Sequence, residues 1–346
     1  MAKELSKQEK LRALMKEVNK DFKGRNPLQF ASDADEKGKI STGVELIDVK
    51  IGGGFQRGNV SIIYGGPGCG KSSICLHSTA KAQADGSTVM YIDLEHKFDA
   101  GRAKDLGVKL DELILIKDIQ HAEEAMDIIK RVCSEGLVDL IIVDSIQGMS
   151  PEGEQVTKKG KEKSFADDEM AILARKLSKF FRAIANDLDN GKAALLMVGQ
   201  LRMNLGSFIV KGKLSGGNAL EHFAVLIAQV RRGQKANAPV DTVKETYLDE
   251  ETEQERFRTV KVPIGFECVM KVEKCHIHGG SREGTDFSMP FYFDTGFLPP
   301  KENNVDETEN KEETSDESTD SQKVVESKEE TSVPKKTRGR KPKGSK

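Results

Sequence analysis

The most informative pattern in this sequence is Val60-Ser61-Ile62-Ile63-Tyr64-Gly65-Gly66-Pro67-Gly68-Cys69-Gly70-Lys71-Ser72. Its first five residues predict a strand, and residues 72–83 predict a helix. Between them lies the pattern Gly-x4-Gly-Lys-Ser, a glycine-rich turn that joins the strand to the helix. A chance glycine-rich turn rarely has a strand before it and a helix after it, so the segment predicts a P-loop within an α/β domain.

The segments around this loop alternate between strand and helix patterns. Residues 140–144 are apolar except for the last, and such strands are buried on both faces, as in parallel sheets. The alternation predicts a doubly wound α/β domain with a mostly parallel central sheet. Further strands are predicted at residues 88–93, 193–200, 224–230 and 268–275, and helices at residues 121–134 and 167–190.

The composition limits the class of protein. The chain has 346 residues, enough for one large α/β domain or two small ones. Its formal net charge of −2 indicates no particular binding partner. The five cysteines show neither metal spacing nor a disulfide framework, which indicates reduced thiols. No apolar run approaches the roughly 18 residues of a membrane span, and the N-terminus lacks a signal core. These features predict a soluble, cytoplasmic protein with no membrane partner.

The two ends of the chain differ from the part between them. Residues 3–22 have the spacing of an amphipathic helix, and a polar stretch through Gly38 follows, interrupted by the apolar insert Pro27–Ala31. Residues 301–330 hold 12 acidic and 4 basic side chains, whereas residues 331–346 hold 7 basic and none acidic. A tail with so few apolar groups cannot offset its ordering entropy. The predicted organisation is an N-terminal helix and linker (1–37), a core (38–299) and a disordered tail (300–346).

The glycine-rich loop has the chemistry of a site for ATP and Mg²⁺. Glycines let the backbone N–H groups point at phosphates, and the positive end of the next helix adds to their effect. Lys71 would neutralise the β- and γ-phosphates, and the Ser72 hydroxyl would hold Mg²⁺. The predicted nucleotide-binding residues of the loop are Gly65, Gly66, Pro67, Gly68, Cys69, Gly70, Lys71 and Ser72.

Three polar residues at strand ends are candidates for the rest of that site. Asp144 can orient the magnesium-bound water, and its pairing with a P-loop favours this role over that of a turn residue. Glu95 is the best candidate for the base that polarises water, although a loop glutamate is often only solvated surface. Gln200 ends another strand and either senses the γ-phosphate through its amide or caps a turn.

Taken in order, these motifs resemble the bacterial RecA family of homologous-recombination strand-exchange ATPases, over about residues 8–297. The resemblance implies a RecA-type P-loop NTPase core, with an N-terminal helix and strand that pack on the next subunit of a homo-oligomeric helical filament. The helix could equally dock on the core of its own chain. The similar segments are Ile40–Gly43 with Leu46–Asp48, Tyr91–Asp99, Val143–Ile146 with Pro151, Gly199–Gly206 and Gly216–Leu220.

The resemblance also implies roles for single residues. Glu95 would activate the attacking water, and Gln200 would couple the γ-phosphate to the loop that begins at Leu201. Lys274 would reach across a subunit interface to the neighbour's γ-phosphate, while His276 stands where the family has a second such lysine. The nucleotide site would also include Ser73, Asp99 and Arg102, with Arg102 in place of an aromatic residue that stacks on adenine.

Two loops would bind DNA, at about residues 151–166 and 201–215. The first contains four lysines, and the second combines cations with Phe208 and Ile209, which suits phosphates and unstacked bases. Each loop alone would pass for a solvated turn. By resemblance, the DNA-contacting residues are Arg175, Arg202, Met203, Leu205, Gly206, Gly216, Gly217 and Asn218.

The C-terminal tail offers another contact with DNA. Residues 334–343 are similar to an AT-hook, which lies in the narrow minor groove of A·T-rich duplexes, although Lys341 interrupts the match. A nonspecific basic tail explains the charges equally well. The family's globular C-terminal domain is missing, as in some shortened, bacteriophage-encoded members.

The predicted function is that of a DNA-dependent ATPase that forms filaments on single-stranded DNA and exchanges strands with homologous double-stranded DNA in recombination and repair. Single-strand-binding protein and loading mediators are further expected partners. Two alternatives remain open, namely a hexameric DNA helicase of the same core fold and an ATP-regulated recombination mediator without its own strand exchange.

Overall fold

The computed structural model describes the chain at residues 6–22, 27–33, 36–151, 169–202, 213–214, 218–248 and 255–300. The chain separates into two units between residues 301 and 302, and all described residues lie in the first. The predicted tail from residue 301 onward and the greater part of both predicted DNA loops lie outside the described residues.

A central nine-stranded sheet organises the described residues, with the order β13-β12-β9-β3-β7-β6-β4-β5 and β8 paired with β7. The six strands from β9 to β5 in this order run parallel, while β12, β13 and β8 are antiparallel additions. The predicted mostly parallel sheet is therefore confirmed. The strands are β1 (Lys39–Ile40), β2 (Phe55–Gln56), β3 (Val60–Gly65), β4 (Val89–Asp93), β5 (Leu113–Ile116), β6 (Leu140–Asp144), β7 (Ala194–Arg202), β8 (Lys213–Leu214), β9 (Ala224–Arg232), β10 (Val240–Leu248), β11 (Glu255–Pro263), β12 (Gly265–Cys275) and β13 (Thr285–Tyr292).

Helices cover both faces of this sheet, except for the first helix along the chain, none of whose residues is buried. They are α1 (Lys7–Lys20), α2 (Glu45–Ile51), α3 (Lys71–Ala84), α4 (Ala100–Asp105), α5 (Ala122–Glu135), α6 (Glu169–Gly191) and α7 (Asn218–Phe223). Short 3₁₀ turns lie at Ala31–Asp33, Leu110–Glu112, Ile146–Gly148 and Lys235–Asn237. Within the described ranges, no helix combines the length and the apolar character that a bilayer crossing requires.

The two hydrophobic cores follow from the alternation of side chains along each strand. Ile63 of β3 packs with residues of α2, α3 and α4, whereas its neighbour Ile62 packs with residues of α5 and α6. Both isoleucines are almost fully buried. A strand with apolar residues on both faces requires a helix layer on each side, which gives the doubly wound architecture.

The hairpin of β10 and β11 was missing from the sequence prediction. The two strands pair antiparallel over nine residues each and form a separate two-stranded sheet. Charged and hydroxyl residues interrupt their apolar positions, and Val240, Val243 and Phe257 are exposed. Because neither face is buried, the period-two pattern that identifies a strand never develops.

Helix α1 lies at the surface. It begins with a capping box between Ser6 and Glu9, and none of its residues is buried. Leu11 and Leu14 are 43% and 54% exposed, respectively. Residues 27–30 pair with no strand among the described residues, and the Arg12 guanidinium lies 4.8 Å from the centre of the Phe30 ring. Within the described residues, the apolar face of α1 therefore remains uncovered by the core.

Candidate nucleotide site

The glycine-rich loop lies between the end of β3 at Gly65 and the start of α3 at Lys71. A β-carbon on Gly65 would lie 1.9 Å from the carbonyl oxygen of Val230 on the adjacent strand β9, so no side chain fits there. Gly70 caps the N-terminus of α3 with a φ of 98°, a conformation that glycine adopts at low cost. The loop is thus held against the sheet and opens toward the N-terminus of α3.

Lys71 lies within the curve of this loop. Its Nζ donates hydrogen bonds to the carbonyl oxygens of Gly66 at 2.6 Å and Gly65 at 3.1 Å. A lysine ammonium and the N-terminus of a helix both attract anions. The loop therefore has the chemistry that phosphate binding requires, with the Lys71 ammonium hydrogen-bonded to two backbone carbonyls.

Ser72 and Asp144 meet across the mouth of the loop. The Ser72 hydroxyl donates to Asp144 Oδ2 at 2.8 Å, and the Tyr91 hydroxyl donates to the same oxygen at 2.7 Å. Burial raises the pKa of Asp144, and the hydrogen bonds from Tyr91 and Ser72 offset part of that rise.

This donor set suits one kind of metal site. The described ranges contain no group of three His, Cys, Asp or Glu side chains placed to hold a metal. One hydroxyl and one carboxylate match the way proteins hold Mg²⁺, because that ion keeps several waters and takes oxygens from the substrate phosphates. Ser72 and Asp144 therefore fit the Mg²⁺ of a nucleotide complex.

Glu95 lies at the centre of a hydrogen-bond cluster. Its Oε1 accepts from Gln200 Nε2 at 2.7 Å and from the Ser145 hydroxyl, and its Oε2 accepts from Lys97 Nζ at 2.7 Å. Burial alone would raise the pKa of Glu95, but the hydrogen bonds from Lys97, Ser145 and Gln200 together hold the pKa below its ordinary value. The carboxylate is therefore ionised at neutral pH.

The sheet register explains why these groups meet. Gln200 pairs with Gly65 between β7 and β3, and Asp144 pairs with Asp93 between β6 and β4. Asp93 is buried and accepts hydrogen bonds from the backbone N–H groups of Lys97 and Phe98, which fixes the turn that carries Glu95. Four parallel strands thus deliver their functional groups to one edge of the sheet.

Asp99 and Arg102, two predicted nucleotide contacts, lie at the start of α4. Asp99 caps this helix by accepting from the backbone N–H of Arg102 at 3.0 Å. The Arg102 guanidinium donates to the carbonyl oxygen of Asp294. Phe293 precedes that residue and lines a cavity of about 300 Å³ together with the predicted contact Ser73 and residues 68–72 of the P-loop.

Arg232, which no sequence motif indicated, also lines this cavity. Its Nε donates to the carbonyl oxygen of Gly68 at 2.8 Å, and its guanidinium carbon lies 4.3 Å from the centre of the Phe266 ring. The residue ends β9, which lies beside β3 in the sheet. Only the strand order brings Arg232 to the P-loop, so no local sequence signal could have identified it.

Lys274 lies away from this cluster, at a bulge in β12. The register between β12 and β9 shifts between Val272 and Lys274. Lys274 Nζ donates to the carbonyl oxygen of Glu221 on α7 at 2.7 Å, and Glu273 accepts from the Tyr64 hydroxyl at 2.6 Å. His276, which follows the strand, is exposed.

The predicted DNA-binding residues are only partly within the described residues. Arg175 is exposed on α6. The backbones of Arg202 and Asn218 mark the end of β7 and the start of α7. The other predicted DNA contacts lie outside the described residues, and they are Met203, Leu205, Gly206, Gly216 and Gly217.

An α/β fold with a glycine-rich loop and acidic residues at neighbouring strand ends defines the P-loop class. Residues 9–265 match the family described as the RecA N-terminal domain, and the chain belongs to the RecA family, as the motifs predicted. It is 33% identical over 248 residues to Protein RecA of Thermotoga neapolitana, which covers 70% of this chain and 68% of that protein. The chain is also 32% identical to Protein RecA of Thermotoga maritima, in an alignment that covers 70% of this chain and 67% of that protein.

A solved structure shares the fold. The crystal structure of the RadB recombinase superposes with a TM-score of 0.52 at 17% sequence identity, covering 74% of this chain and 97% of that one. At this identity the likeness concerns the fold alone. It agrees with the predicted α/β architecture.

Proposed function

We propose that this protein is a DNA-dependent ATPase that assembles on single-stranded DNA and pairs it with homologous duplex DNA in recombination and repair. The observation that carries the proposal is the 2.7 Å hydrogen bond between Gln200 and Glu95. Glu95 would activate water, and Gln200 immediately precedes the segment that resembles a DNA-binding loop. Membership of the RecA family supports the same function.

Nucleotide binding is assigned to the loop at residues 65–72. ATP phosphates would replace the backbone carbonyls around Lys71, whose charge they would neutralise. Mg²⁺ would be held by Ser72 and Asp144, and when bound it offsets the negative charge of the phosphates. The adenine base of ATP would lie toward the cavity near Phe293, beside the contact between Arg102 and Asp294.

Hydrolysis is assigned to Glu95 acting as a general base on water. Its lowered pKa keeps the carboxylate ionised, as a proton acceptor must be. Gln200 donates to this carboxylate. A γ-phosphate competes for the same amide hydrogens, so nucleotide binding would draw Gln200 from Glu95 and leave the base available to water.

The control of DNA binding by nucleotide would follow from the position of Gln200 in β7. Two residues later the strand ends at Arg202, where the predicted second DNA loop continues the chain. A movement of Gln200 toward the γ-phosphate would therefore move the root of that loop. The ATP state would hold DNA, and hydrolysis would release it.

Filament assembly is supported by surfaces that the single chain leaves open. Strand β5 ends the sheet, and Ile114 on it and Leu110 just before it are 43% and 40% exposed. An open strand edge accepts another chain. The apolar face of α1 is uncovered, and residues 27–30 pair with no strand in the part of the chain that the structure describes. Both have the character of the partner that β5 lacks, which a neighbouring subunit would supply. Lys274 would then contribute to the nucleotide site of that neighbour.

Two measurements test this function. Lys71→Ala should abolish ATP-dependent strand exchange, whereas Lys81→Ala, on the exposed side of the same helix, should leave it intact. Electron microscopy with single-stranded DNA and a slowly hydrolysed ATP analogue should show helical filaments. Rings would instead support a helicase, and the absence of any assembly would support a mediator. Undiminished exchange by Lys71→Ala would refute the assignment of the loop.

A further inference from the structure

The 3₁₀ turn at Ile146–Gly148 links the Asp144 strand to the chain that enters the first predicted DNA loop. A β-carbon on Gly148 would lie 2.6 Å from both the β-carbon and the carbonyl oxygen of Leu94, the residue before Glu95. The Leu94 N–H in turn donates to the carbonyl oxygen of Asp144 at 2.9 Å. The turn is thus packed against the segment that carries Glu95, with no space for a side chain at residue 148.

Gln147, in the middle of this turn, contacts the other side of the cluster. Its Oε1 accepts a hydrogen bond from the backbone N–H of Gln200 at 2.9 Å. A backbone N–H can only donate, so the hydrogen bond assigns Oε1, rather than Nε2, to that position. Gln147 therefore holds the main chain of Gln200 while the Gln200 side chain holds Glu95.

The remaining end of the Gln147 amide is unsatisfied. Its Nε2 is buried and has no hydrogen-bond partner among the residues that the structure describes. Buried donors without partners are rare in native proteins because each loses its hydration without compensation. The Gln147 amide thus has one donor without a partner among the described residues.

We propose that Gln147 is a positioning residue that couples the main chain of Gln200 to the 3₁₀ turn at residues 146–148, so that the γ-phosphate of bound nucleotide acts on the chain that enters the first predicted DNA loop as well as on Gln200. The inference rests on the proposed function. When Gln200 turns from Glu95 toward the γ-phosphate, its main chain pulls on Gln147 through Oε1. The turn at residues 146–148 then shifts, and with it the chain that leads to the first predicted loop.

Hydrogen–deuterium exchange of the full chain tests this coupling, with and without a slowly hydrolysed ATP analogue. In the wild type, the analogue should change exchange in peptides that span residues 146–166 and 200–214. Gln147→Leu, which removes both polar atoms, should lose the change in the first peptide and keep it in the second. Gln147→Glu retains an acceptor for the Gln200 N–H and should keep both changes. Gln234→Leu, at an exposed turn, serves as the matched control.

The outcomes separate this inference from the function on which it rests. If Gln147→Leu responds like the wild type in both peptides, the coupling role is wrong while the nucleotide switch stands. Equal losses in Gln147→Leu and Gln147→Glu also overturn it, because the glutamate keeps the acceptor oxygen. No response of the wild type in either peptide overturns the proposed function as well. If Gln147→Leu fails to fold, Gln147→Met, which is unbranched, replaces it.

Discussion

Lys97 Nζ lies 2.7 Å from Glu95 Oε2, so a lysine two residues along the chain pairs with the proposed catalytic base. The Lys97 side chain is 75% exposed, whereas that of Glu95 is only 19% exposed. The lysine can therefore leave the carboxylate without disturbing the core. Its hydrogen bond and charge are among the influences that hold the pKa of Glu95 below its ordinary value.

Replacement of this lysine should change the pH dependence of hydrolysis. Lys97→Met removes a group that lowers the pKa of Glu95, so that pKa should rise. Because a base must be deprotonated to act, the acidic limb of the kcat–pH profile should move to higher pH, with little change on the alkaline side. The measurement is steady-state ATP hydrolysis with single-stranded DNA from about pH 4.5 to 8, a range chosen around the ordinary carboxyl pKa.

The matched control for this change is Lys109→Met, because Lys109 also pairs with a nearby carboxylate, that of Glu112, but beyond the C-terminal end of α4. Its profile should coincide with the wild type. An unchanged acidic limb in Lys97→Met would mean that Glu95 does not set it, and the assignment of the base would need revision.

Tyr91 should influence the Mg²⁺ requirement through Asp144. Its hydroxyl is one of two hydrogen-bond donors that lower the pKa of Asp144 against the rise caused by burial. Tyr91→Phe should raise that pKa further, and protonated Asp144 binds no cation. The Mg²⁺ concentration for half-maximal ATP hydrolysis should therefore increase at pH 7 and more steeply as pH falls, since a hydrogen bond to a charged group contributes about 1.5–3 kcal/mol.

Asp144→Asn provides the upper limit of this effect, because it removes the charge altogether. It should need far more Mg²⁺ than Tyr91→Phe and should lose the pH dependence of that need. If Tyr91→Phe matches the wild type at every pH, the hydroxyl does not tune the metal site.

The sequence predicted the parts of the site that depend on local pattern. Gly65, Lys71 and Ser72 belong to one continuous motif, and Asp144 ends a strand whose apolar run identifies it. Parallel strands gather their carboxyl ends at one edge, so the proximity of these ends could be expected from the order of the strands and helices along the chain. The mostly parallel sheet followed from the same apolar runs.

Contacts that depend on strand order or on side-chain direction could not be predicted in this way. Arg232 reaches Gly68 because β9 lies beside β3, although the two strands are far apart in the chain. The role of Gln147 depends on the orientation of its side-chain amide, which accepts a hydrogen bond from the Gln200 N–H. The β10–β11 hairpin lacks a buried face, so the hydrophobic periodicity that reveals other strands is absent from it.

Arg232 should contribute to nucleotide affinity by holding the P-loop. Its Nε donates to the Gly68 carbonyl at 2.8 Å, and the Phe266 ring supports the guanidinium. Arg232→Ala should raise the KM for ATP by roughly three- to tenfold, which corresponds to about 1 kcal/mol. The adjacent Arg231 instead lies 3.4 Å from Asp286, so Arg231→Ala should leave the KM unchanged. Equal KM values for the two variants would contradict the role of Arg232.

The uncovered face of α1 should support assembly rather than the stability of the single chain. Leu11 and Leu14 are exposed and no residue of α1 is buried, so replacing both leucines with glutamine should shift the Tm by no more than about 2 °C. The same double variant should form few or no filaments on single-stranded DNA, because a neighbouring subunit loses its apolar contact. Lys16→Gln with Lys20→Gln, on the opposite face of the helix, should leave both properties intact. A large fall in Tm would instead place α1 on the core of its own chain, and normal filaments with normal Tm would remove it from the interface.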